Sequence, residues 1–378
     1  MDIQTEFKKI FGGLPEKIFR APGLVNLLGE HTDYNAGFVL PMAIDRAVLI
    51  AARRRADRVV RMIARDFDHA RSEFSLDAIT RDDAHAWSNY VRGVAAMLHA
   101  RGYNLPGVDL LIRGDVPRGS GLSSSAALEV CAATMFAAIA QLDISKIEIA
   151  QVCQRAENEF VGVQCGIMDQ FASARARADH ALLIDCRDLT HELVALPRGA
   201  VIVVCDTMKR RGLVASEYNT RRAECEHAAR LLGAPSLRDV SREEIARREN
   251  ELPPVIARRA RHVITENARV LDAVIAARQN DLAAFGRGMN ESHASLRDDF
   301  AVSCAELDAM VEIARGQRGC FGARLTGAGF GGCTVNLVAE DSVEEFCAQV
   351  AREYASRVSV APQIYACRAA DGAGEIFD

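Results

Sequence analysis

The sequence predicts an α+β fold in two lobes, and three observations support that class. Short apolar runs typical of strands alternate with longer stretches of helical spacing along the chain. Its 378 residues are enough for two domains or one large one. After Cys186 the pattern restarts with the continuous apolar run "AVIVVCD". We therefore predict an N-terminal lobe over residues 1–197 and a C-terminal lobe over residues 198–378, with the boundary near Pro197.

The N-terminal lobe is predicted to begin with a helix and to continue as strands. "MDIQTEFKKIFGG" has the spacing of an amphipathic helix. A strand through "KIFRA" is expected to turn at Pro22-Gly23 and to return through "LVNLL", and further strands follow at "FVLPMAI" and "AVLIAARR". Side chains alternate between the faces of a strand, so an extended run after the turn places Leu24 and Asn26 on the same face.

Helices are prominent in the rest of the chain. Helical spacing covers residues 87–101 and 147–161, and the run from about Ser123 to Leu142 is apolar nearly all round, which predicts a buried helix. The strand-like run "GVDLLIRGDV" lies before that helix. Beyond the boundary we predict charged helices over residues 216–232 and 254–277, then strands and helices around "CTVNLV" and "EEFCAQVAREYA".

The composition argues against several classes of protein. A formal net charge of −5 gives no reason to expect a nucleic-acid partner. The eleven cysteines include no C-x-x-C pair, which supports neither a zinc site nor a disulfide framework and fits a reducing compartment. The most apolar stretch, Ala126 to Leu142, is shorter than the ~20 residues of a membrane span and contains Glu129. The N-terminal helix lacks the apolar core of a signal peptide, so we predict a cytoplasmic protein.

The loop "GDVPRGSGLSSSAA", residues 114–127, is the strongest chemical signal in the sequence. Glycines let backbone N–H groups approach an anion, and the start of the following helix supplies unpaired N–H donors and a positive dipole. A phosphate group fits such a loop, and Ser125 in the first helical turn is suited to bind Mg²⁺ through its hydroxyl. An ordinary serine N-cap is the alternative. The chain has no Gly-Lys pair, so this is not a Walker A loop.

A second glycine cluster, "LTGAGFGGCTVNLV", contains the spacing of a dinucleotide-binding loop at Gly327, Gly329 and Gly332. A strand-like run follows these glycines where that motif requires a helix, and no acidic residue lies ~20 positions further on. The cluster therefore indicates either a structural turn or a backbone that approaches a ligand closely.

Four further polar positions stand out, and for each the structural interpretation is weighed against a functional one. Asp169 lies among apolar residues in "CGIMDQFAS", so it is either a helix cap or a carboxylate whose ionisation is tuned. Glu157 precedes it by twelve residues and is a candidate second carboxylate for a metal. Tyr218 and Asn219 begin a charged helix, and by themselves they indicate a helix N-terminus.

Taken together, the motifs resemble those of a known family. "GEHTDYNAGFVLP", "GDVPRGSGLSSSAALEV" and "LTGAGFGGCTVNLV", in this order, are similar to the three signature motifs of the GHMP small-molecule kinases. The first resembles the galactokinase signature, and "CGIMDQFAS", "SEYNTRRAEC" and "MNESHASLRDDF" are galactokinase-like as well. The resemblance spans essentially the full chain. It implies a two-lobed GHMP kinase fold with the active site in the cleft between lobes, and transfer of the ATP γ-phosphoryl group to the C1 hydroxyl of α-D-galactose.

The resemblance also assigns roles by position. Sugar binding falls to Glu30, His31, Thr32, Asp33 and Tyr218. ATP phosphate binding falls to Gly119, Ser120, Gly121, Leu122, Ser123, Ser124 and Ser125. Ser125 and Glu157 match the Mg²⁺ ligands, and Asp169 matches the catalytic base. The implied partners are galactose and ATP with Mg²⁺; we expect no nucleic acid, no membrane, and a monomer or weak homo-oligomer.

One position departs from the galactokinase pattern "GRVNLIGEHTDYN": Leu24 stands where that pattern has arginine. The family arginine is expected to face Asp169 and the transferred phosphoryl group, and leucine has neither charge nor donor to replace it. Three interpretations follow: a galactokinase, natural or engineered, with impaired catalysis; a kinase for another sugar such as N-acetylgalactosamine or galacturonate; or a non-catalytic galactose sensor. We favour the first, because the sugar motif is unchanged and a sensor has no need of Glu157 and Asp169.

Overall fold

The computed structural model describes residues 2–117, 119–210 and 214–376. It has the predicted α+β architecture. The helices are α1 Ile3–Phe11, α2 Ser88–Ala100, α3 Ser124–Ala140, α4 Lys146–Arg155, α5 Met168–Arg175, α6 Val214–Leu232, α7 Arg242–Arg248, α8 Pro254–Arg278, α9 Leu282–Asp298, α10 Ala305–Gly316 and α11 Val343–Val358. The strands are β1 Lys17–Asn26, β2 Phe38–Val39, β3 Pro41–Arg54, β4 Val59–Ala64, β5 Ala70–Ser75, β6 Val108–Gly114, β7 His180–Asp185, β8 His191–Ala195, β9 Ala200–Asp206, β10 Cys320–Leu325, β11 Cys333–Ala339, β12 Gln363–Cys367 and β13 Gly374–Ile376.

The strands form three sheets. The largest has the order β13-β1-β3-β6-β4-β5 and is antiparallel except for the β4–β6 pair. A four-stranded antiparallel sheet has the order β10-β11-β9-β12, and a small one has the order β2-β7-β8. The C-terminal strand β13 thus returns to the first sheet, where it pairs with β1.

The predicted boundary at Pro197 falls between β8 and β9, that is, between the strands of the small sheet and those of the four-stranded sheet. One apolar cluster contains side chains from both sides of that position, including Leu27 and Leu28 before it and Phe285 and Leu337 after it. The two regions therefore share part of their core, and the division at residue 197 stays a prediction.

The predicted turn at Pro22-Gly23 is wrong. The two residues lie inside β1, which continues from Lys17 to Asn26 along β3, with a shift of register between Pro22 and Leu24. Such a bulge tolerates proline and glycine inside a strand and bends it without reversing the chain. Gly23 is required by contact: a Cβ there would lie 2.8 Å from the Leu122 carbonyl oxygen. β1 therefore packs directly against the loop before α3.

The helix after that loop is apolar nearly all round and largely buried, as predicted. It begins at Ser124, and Ser123 before it has a left-handed backbone, with φ 57°. The helix predicted over residues 147–161 consists of α4 followed by a π-helical turn, Ala156–Val161. π-helical turns occur frequently at functional sites, and this one includes Glu157.

The eleven cysteines all lie in the described part of the chain, and none of them forms a disulfide there. Within the residues that the structure describes, no helix has the length and apolar character needed to cross a membrane.

Candidate active site

A cleft of about 420 Å³ brings most of the predicted site residues together. It is bordered by the end of β1, the N-terminus of α3, the π-helical turn, the start of α5 and the turn between β10 and β11. The predicted residues in its wall are Leu24, Glu30, His31, Asp33, Gly119, Gly121, Ser123, Ser124, Ser125, Glu157, Asp169 and Tyr218. Leu24 and Asn26 both line it, as alternation along the strand predicts. Arg118, in the predicted phosphate loop, lies outside the described residues.

Three predicted residues turn their side chains elsewhere. The Thr32 hydroxyl donates to the carbonyl oxygens of Gly29 and Phe38, at 2.8 and 2.6 Å, and so closes the turn of the sugar motif. The Ser120 hydroxyl donates to the Pro117 carbonyl oxygen at 2.7 Å. The Leu122 side chain is buried in an apolar cluster. These three side chains stabilise the sugar motif and the loop before α3. Other residues of the same two segments line the cleft.

Glu30 connects the sugar motif to the second glycine cluster. One carboxylate oxygen accepts from the Asn26 amide at 3.0 Å, and the other accepts from the Thr326 hydroxyl at 2.9 Å and the Gly327 N–H at 2.6 Å. The buried guanidinium of Arg324 lies 3.1 Å from the same oxygen. Thr326 and Gly327 also line the cleft, so the second glycine cluster is a backbone turn that approaches the ligand space.

An aromatic wall lies beside the sugar motif. The His31 ring contacts the rings of Tyr218 and Phe300, with centroids 5.5 and 4.7 Å apart, and its Nδ1 lies 2.9 Å from the Tyr34 hydroxyl. Burial lowers the pKa of His31 well below its usual value, so the ring is neutral at pH 7. Aromatic faces of this kind pack against the apolar face of a sugar while neighbouring polar groups bind its hydroxyls.

Asp33 is pressed against the backbone of Gly166. A Cβ on residue 166 would lie 1.8 Å from the Asp33 carboxylate, so only glycine fits there. Burial, and next the negative charge of Asp169, raise the pKa of Asp33 to about 7. Its protonation state therefore changes within the physiological range.

Asp169 lies in the first turn of α5 and faces the start of α3. The Ser123 hydroxyl donates to its carboxylate at 2.8 Å. Ser123 adopts a left-handed backbone, which non-glycine residues rarely do outside functional or strained sites. This conformation turns Ser123 toward Asp169, and the hydroxyl does not cap the helix. The unpaired N–H groups of the first turn of α3 remain available for an anion.

Glu157 and Ser125 form the second polar group of the cleft. Ser125 lies near the Glu157 carboxyl, and its side chain acts to lower the pKa of that group. Burial, and next the charge of Asp169, raise the pKa of Glu157 to about 7. A buried carboxylate beside a hydroxyl suits a hard cation that keeps most of its shell from phosphate and water, as Mg²⁺ does. The described residues contain no group of three or more His, Cys, Asp or Glu side chains placed to hold a metal.

The wall of the cleft is strongly acidic. Among the described residues that line it are four carboxylates, from Glu30, Asp33, Glu157 and Asp169, and no lysine or arginine. Leu24 is 1 % exposed and lies outside the apolar clusters of the described core. Its side chain lines the same cleft as the four carboxylates, and a cation at this position would offset their charge.

A second, apolar cavity adjoins the start of α3 and was missed by the sequence analysis. It has a volume of about 240 Å³ and is lined by Val48, Phe67, Trp87 and Leu128 together with Ser124 and Ser125. The rings of Phe67 and Trp87 stack with centroids 6.0 Å apart. An apolar slot beside the unpaired N–H groups of a helix start suits a purine base. In the sequence, the single tryptophan of the chain was interpreted only as the start of a helix and gave no indication of a cavity.

Family models match three regions of the chain. Residues 5–54 match the galactokinase galactose-binding signature, residues 89–177 match the GHMP kinases N terminal domain, and residues 273–356 match the GHMP kinases C terminal domain. These regions include the sugar motif, the loop before α3 with Asp169, and the second glycine cluster.

Whole-chain comparisons agree with these matches. A galactokinase of Roseiflexus sp. (strain RS-1) is 52% identical over 382 residues, covering 100% of this chain and 97% of that protein. The crystal structure of Lactococcus lactis galactokinase complexed with galactose superposes with a TM-score of 0.96 at 38% identity, covering 99% of each chain. Methanococcus jannaschii mevalonate kinase, at 20% identity, shares the fold with a TM-score of 0.66 over 94% of this chain and 98% of its own. The chain belongs to the galactokinase family of GHMP kinases.

Proposed function

We propose that this protein transfers the γ-phosphoryl group of ATP to the C1 hydroxyl of α-D-galactose, giving galactose 1-phosphate. The main support is that one cleft joins the polar residues of the sugar motif to the N-terminus of α3. The similar Lactococcus lactis enzyme was crystallised with galactose, and the sugar motif of this chain matches the galactose-binding signature. Predicted cytoplasmic location and a monomeric or weakly associated state belong to the same proposal.

The nucleotide is proposed to lie along the start of α3. Its phosphates accept hydrogen bonds from the backbone between Gly119 and Ser125, where the helix dipole also favours negative charge. Its base enters the apolar slot that Phe67, Trp87 and Leu128 help to line. Ser125 and Glu157 would hold Mg²⁺, which when bound offsets charge on the phosphates.

Asp169 is proposed as the base, with Ser123 orienting it. Phosphoryl transfer needs an aligned nucleophile, acceptance of its proton and compensation of charge on the moving group. The carboxylate of Asp169 accepts the proton of the C1 hydroxyl as the oxygen–phosphorus bond forms, and ADP leaves with the γ-bond electrons. The hydrogen bond from Ser123 keeps that carboxylate at the junction of the sugar and phosphate regions.

Leu24 is proposed to impair this reaction. It contributes no charge where the family pattern has arginine, while four carboxylates line the same cleft. The alternatives are a kinase whose preferred sugar is N-acetylgalactosamine or galacturonate, and a galactose sensor without catalysis. A transfer assay with ATP and a panel of sugars separates them. Galactose 1-phosphate formed slowly supports the proposal, faster turnover of another sugar supports the second interpretation, and binding with no transfer supports the third.

Galactose affinity should depend on pH through Asp33. The ionised carboxylate accepts hydrogen bonds from sugar hydroxyls at both oxygens, whereas protonation turns one oxygen into a donor and weakens this binding. With a pKa of about 7, roughly a tenth of the Asp33 side chains are ionised at pH 6 and roughly nine tenths at pH 8. We expect galactose to bind about tenfold more weakly at pH 6 than at pH 8 in calorimetry. Asp33→Asn should bind weakly at both values, and a wild-type affinity that is flat over this range would contradict this role.

Nucleotide binding should depend on divalent metal through Ser125. The quantity to measure is the ratio of the dissociation constants of AMP-PNP in EDTA and in Mg²⁺, which reports the metal's contribution. Ser125→Ala removes one proposed ligand and should lower this ratio about tenfold, while affinity in EDTA changes little. Ser295→Ala, a buried serine outside the cleft, is the matched control. A wild-type ratio near one would refute the metal assignment.

A further inference from the structure

Gln170 follows Asp169 directly in α5, but its side chain is buried. Its amide nitrogen lies 2.7 Å from Oε2 of Glu157 and 3.1 Å from Oε2 of Glu129. Glu157 belongs to the π-helical turn, and Glu129 belongs to α3. One amide group therefore bridges two buried carboxylates and links three elements that border the cleft.

The chemistry of its neighbours determines how this amide is oriented. An amide NH₂ group donates two hydrogen bonds, and both neighbouring atoms are carboxyl oxygens. Burial raises the pKa of Glu129 well above its usual value, so the shorter bond, at 2.7 Å to Glu157, determines the orientation of the amide. The reversed amide would place its own oxygen against the Glu157 oxygen and remove that bond.

Gln170 orients Glu157 without cancelling its charge. The bonds from Gln170 and from the Cys165 thiol, the latter at 3.6 Å, both reach Oε2 of Glu157. This leaves Oε1 as the oxygen able to turn toward a cation beside Ser125. A lysine or arginine at residue 170 would compete with that cation for the negative charge, whereas a neutral donor preserves it.

We propose that Gln170 is a positioning residue for the Mg²⁺ site, holding the carboxylate of Glu157 in place beside Ser125. The inference rests on the proposed function, in which Glu157 and Ser125 bind the Mg²⁺ of ATP. Asp169 and Gln170 are consecutive, so the first turn of α5 directs the base into the cleft and the positioning amide to the metal ligand behind it. The base and the metal ligand are thus tied to one rigid element.

Gln170→Met tests this role, because methionine has similar length and no donor. The measurement is again the ratio of AMP-PNP dissociation constants in EDTA and in Mg²⁺. Removing a group that orients a metal ligand typically weakens metal binding 10–100-fold, so we expect this ratio to fall by about tenfold or more. Affinity for galactose, and for AMP-PNP in EDTA, should stay within about twofold of wild type. A general loss of structure would instead lower the affinity for galactose and the affinity for AMP-PNP both in EDTA and in Mg²⁺.

Gln154→Met is the matched control, since the Gln154 amide donates to the backbone carbonyl oxygen of Cys165 at 3.4 Å. It should keep the wild-type ratio. If Gln170→Met does not fold, Gln170→Asn keeps the amide but shortens it by one methylene, and the same loss is expected. If the wild-type ratio is well above one and Gln170→Met or Gln170→Asn keeps it, the positioning role alone is overturned. A wild-type ratio of one would overturn the metal assignment as well.

Discussion

Asp169→Asn is expected to lower kcat by about 10²–10⁴-fold, the range that a positioned general base contributes. Asparagine has the same shape and still accepts the hydrogen bond that Ser123 donates at 2.8 Å, so the geometry of the cleft persists. It cannot accept the C1 hydroxyl proton. Galactose affinity should therefore change little while the rate falls, which is the pattern of an interaction needed only in the transition state. The measurements are single-turnover phosphorylation and galactose binding by calorimetry.

Two further variants test whether the loss of rate is specific to the Asp169 carboxylate. Asp143→Asn changes an exposed aspartate between α3 and α4 and should leave the rate unchanged. Ser123→Ala removes the hydrogen bond that orients Asp169, and a neutral or singly charged bond of this kind is worth ~0.5–3 kcal/mol, so the rate should fall by less than with Asp169→Asn. An Asp169→Asn enzyme within about threefold of wild type would show that this carboxylate is not the base.

The sequence predicted the individual elements that border the cleft better than the contacts between them. Helix α3 was expected because its residues are apolar nearly all round, and Leu24 and Asn26 were expected on one face because strand side chains alternate. Both expectations depend only on local periodicity, and the structure confirms both. The turn at Pro22-Gly23 was wrong because these residues also occur at bulges, and only pairing of β1 with β3 distinguishes a bulge from a reversal.

Contacts between distant residues could not be predicted in this way. Glu30 meets Thr326 across almost 300 positions, and nothing near either residue in the sequence indicates that contact. The aromatic slot is similar, since Phe67 precedes α2 in a connecting turn while Trp87 lies at its start. Gln170 was seen only as part of a motif, and its role depends on two carboxylates from other elements. Each of these features exists only once the chain has folded.

Leu24→Arg is expected to raise kcat. Catalytic arginines acting on a transferred phosphoryl group contribute up to ~10³–10⁵ in rate, or roughly 4–7 kcal/mol. The amides at the start of α3 remain in this protein, so the smaller end is expected here: kcat should rise about tenfold to a thousandfold, while the KM for galactose changes much less. Leu24 lines the cleft but is 1 % exposed, so an arginine at this position has to extend its guanidinium into the cleft itself.

The same substitution should shift the pH dependence of galactose binding. The pKa of Asp33 is raised to about 7 by burial and next by the charge of Asp169, and a cation in the cleft favours the ionised carboxylate. Its pKa should therefore fall, and the loss of affinity on acidification should move below pH 7. Steady-state kinetics and calorimetry at several pH values, on wild type and Leu24→Arg, measure both effects.

Leu24→Met separates the effect of charge from that of side-chain length, since methionine is long, flexible and neutral. It should leave kcat within about threefold of wild type, whereas Leu24→Arg raises it. The double variant Leu24→Arg/Asp169→Asn shows how the arginine raises kcat. If Leu24→Arg still raises kcat when Asp169 is replaced, the arginine acts on the phosphoryl group directly. If the increase in kcat is lost, the arginine acts through the base. If Leu24→Arg is no faster than wild type on galactose, Leu24 belongs to a site adapted as a whole to different chemistry. The kinase for another sugar then becomes the better interpretation, because the acidic cleft would have evolved without a cation at this position.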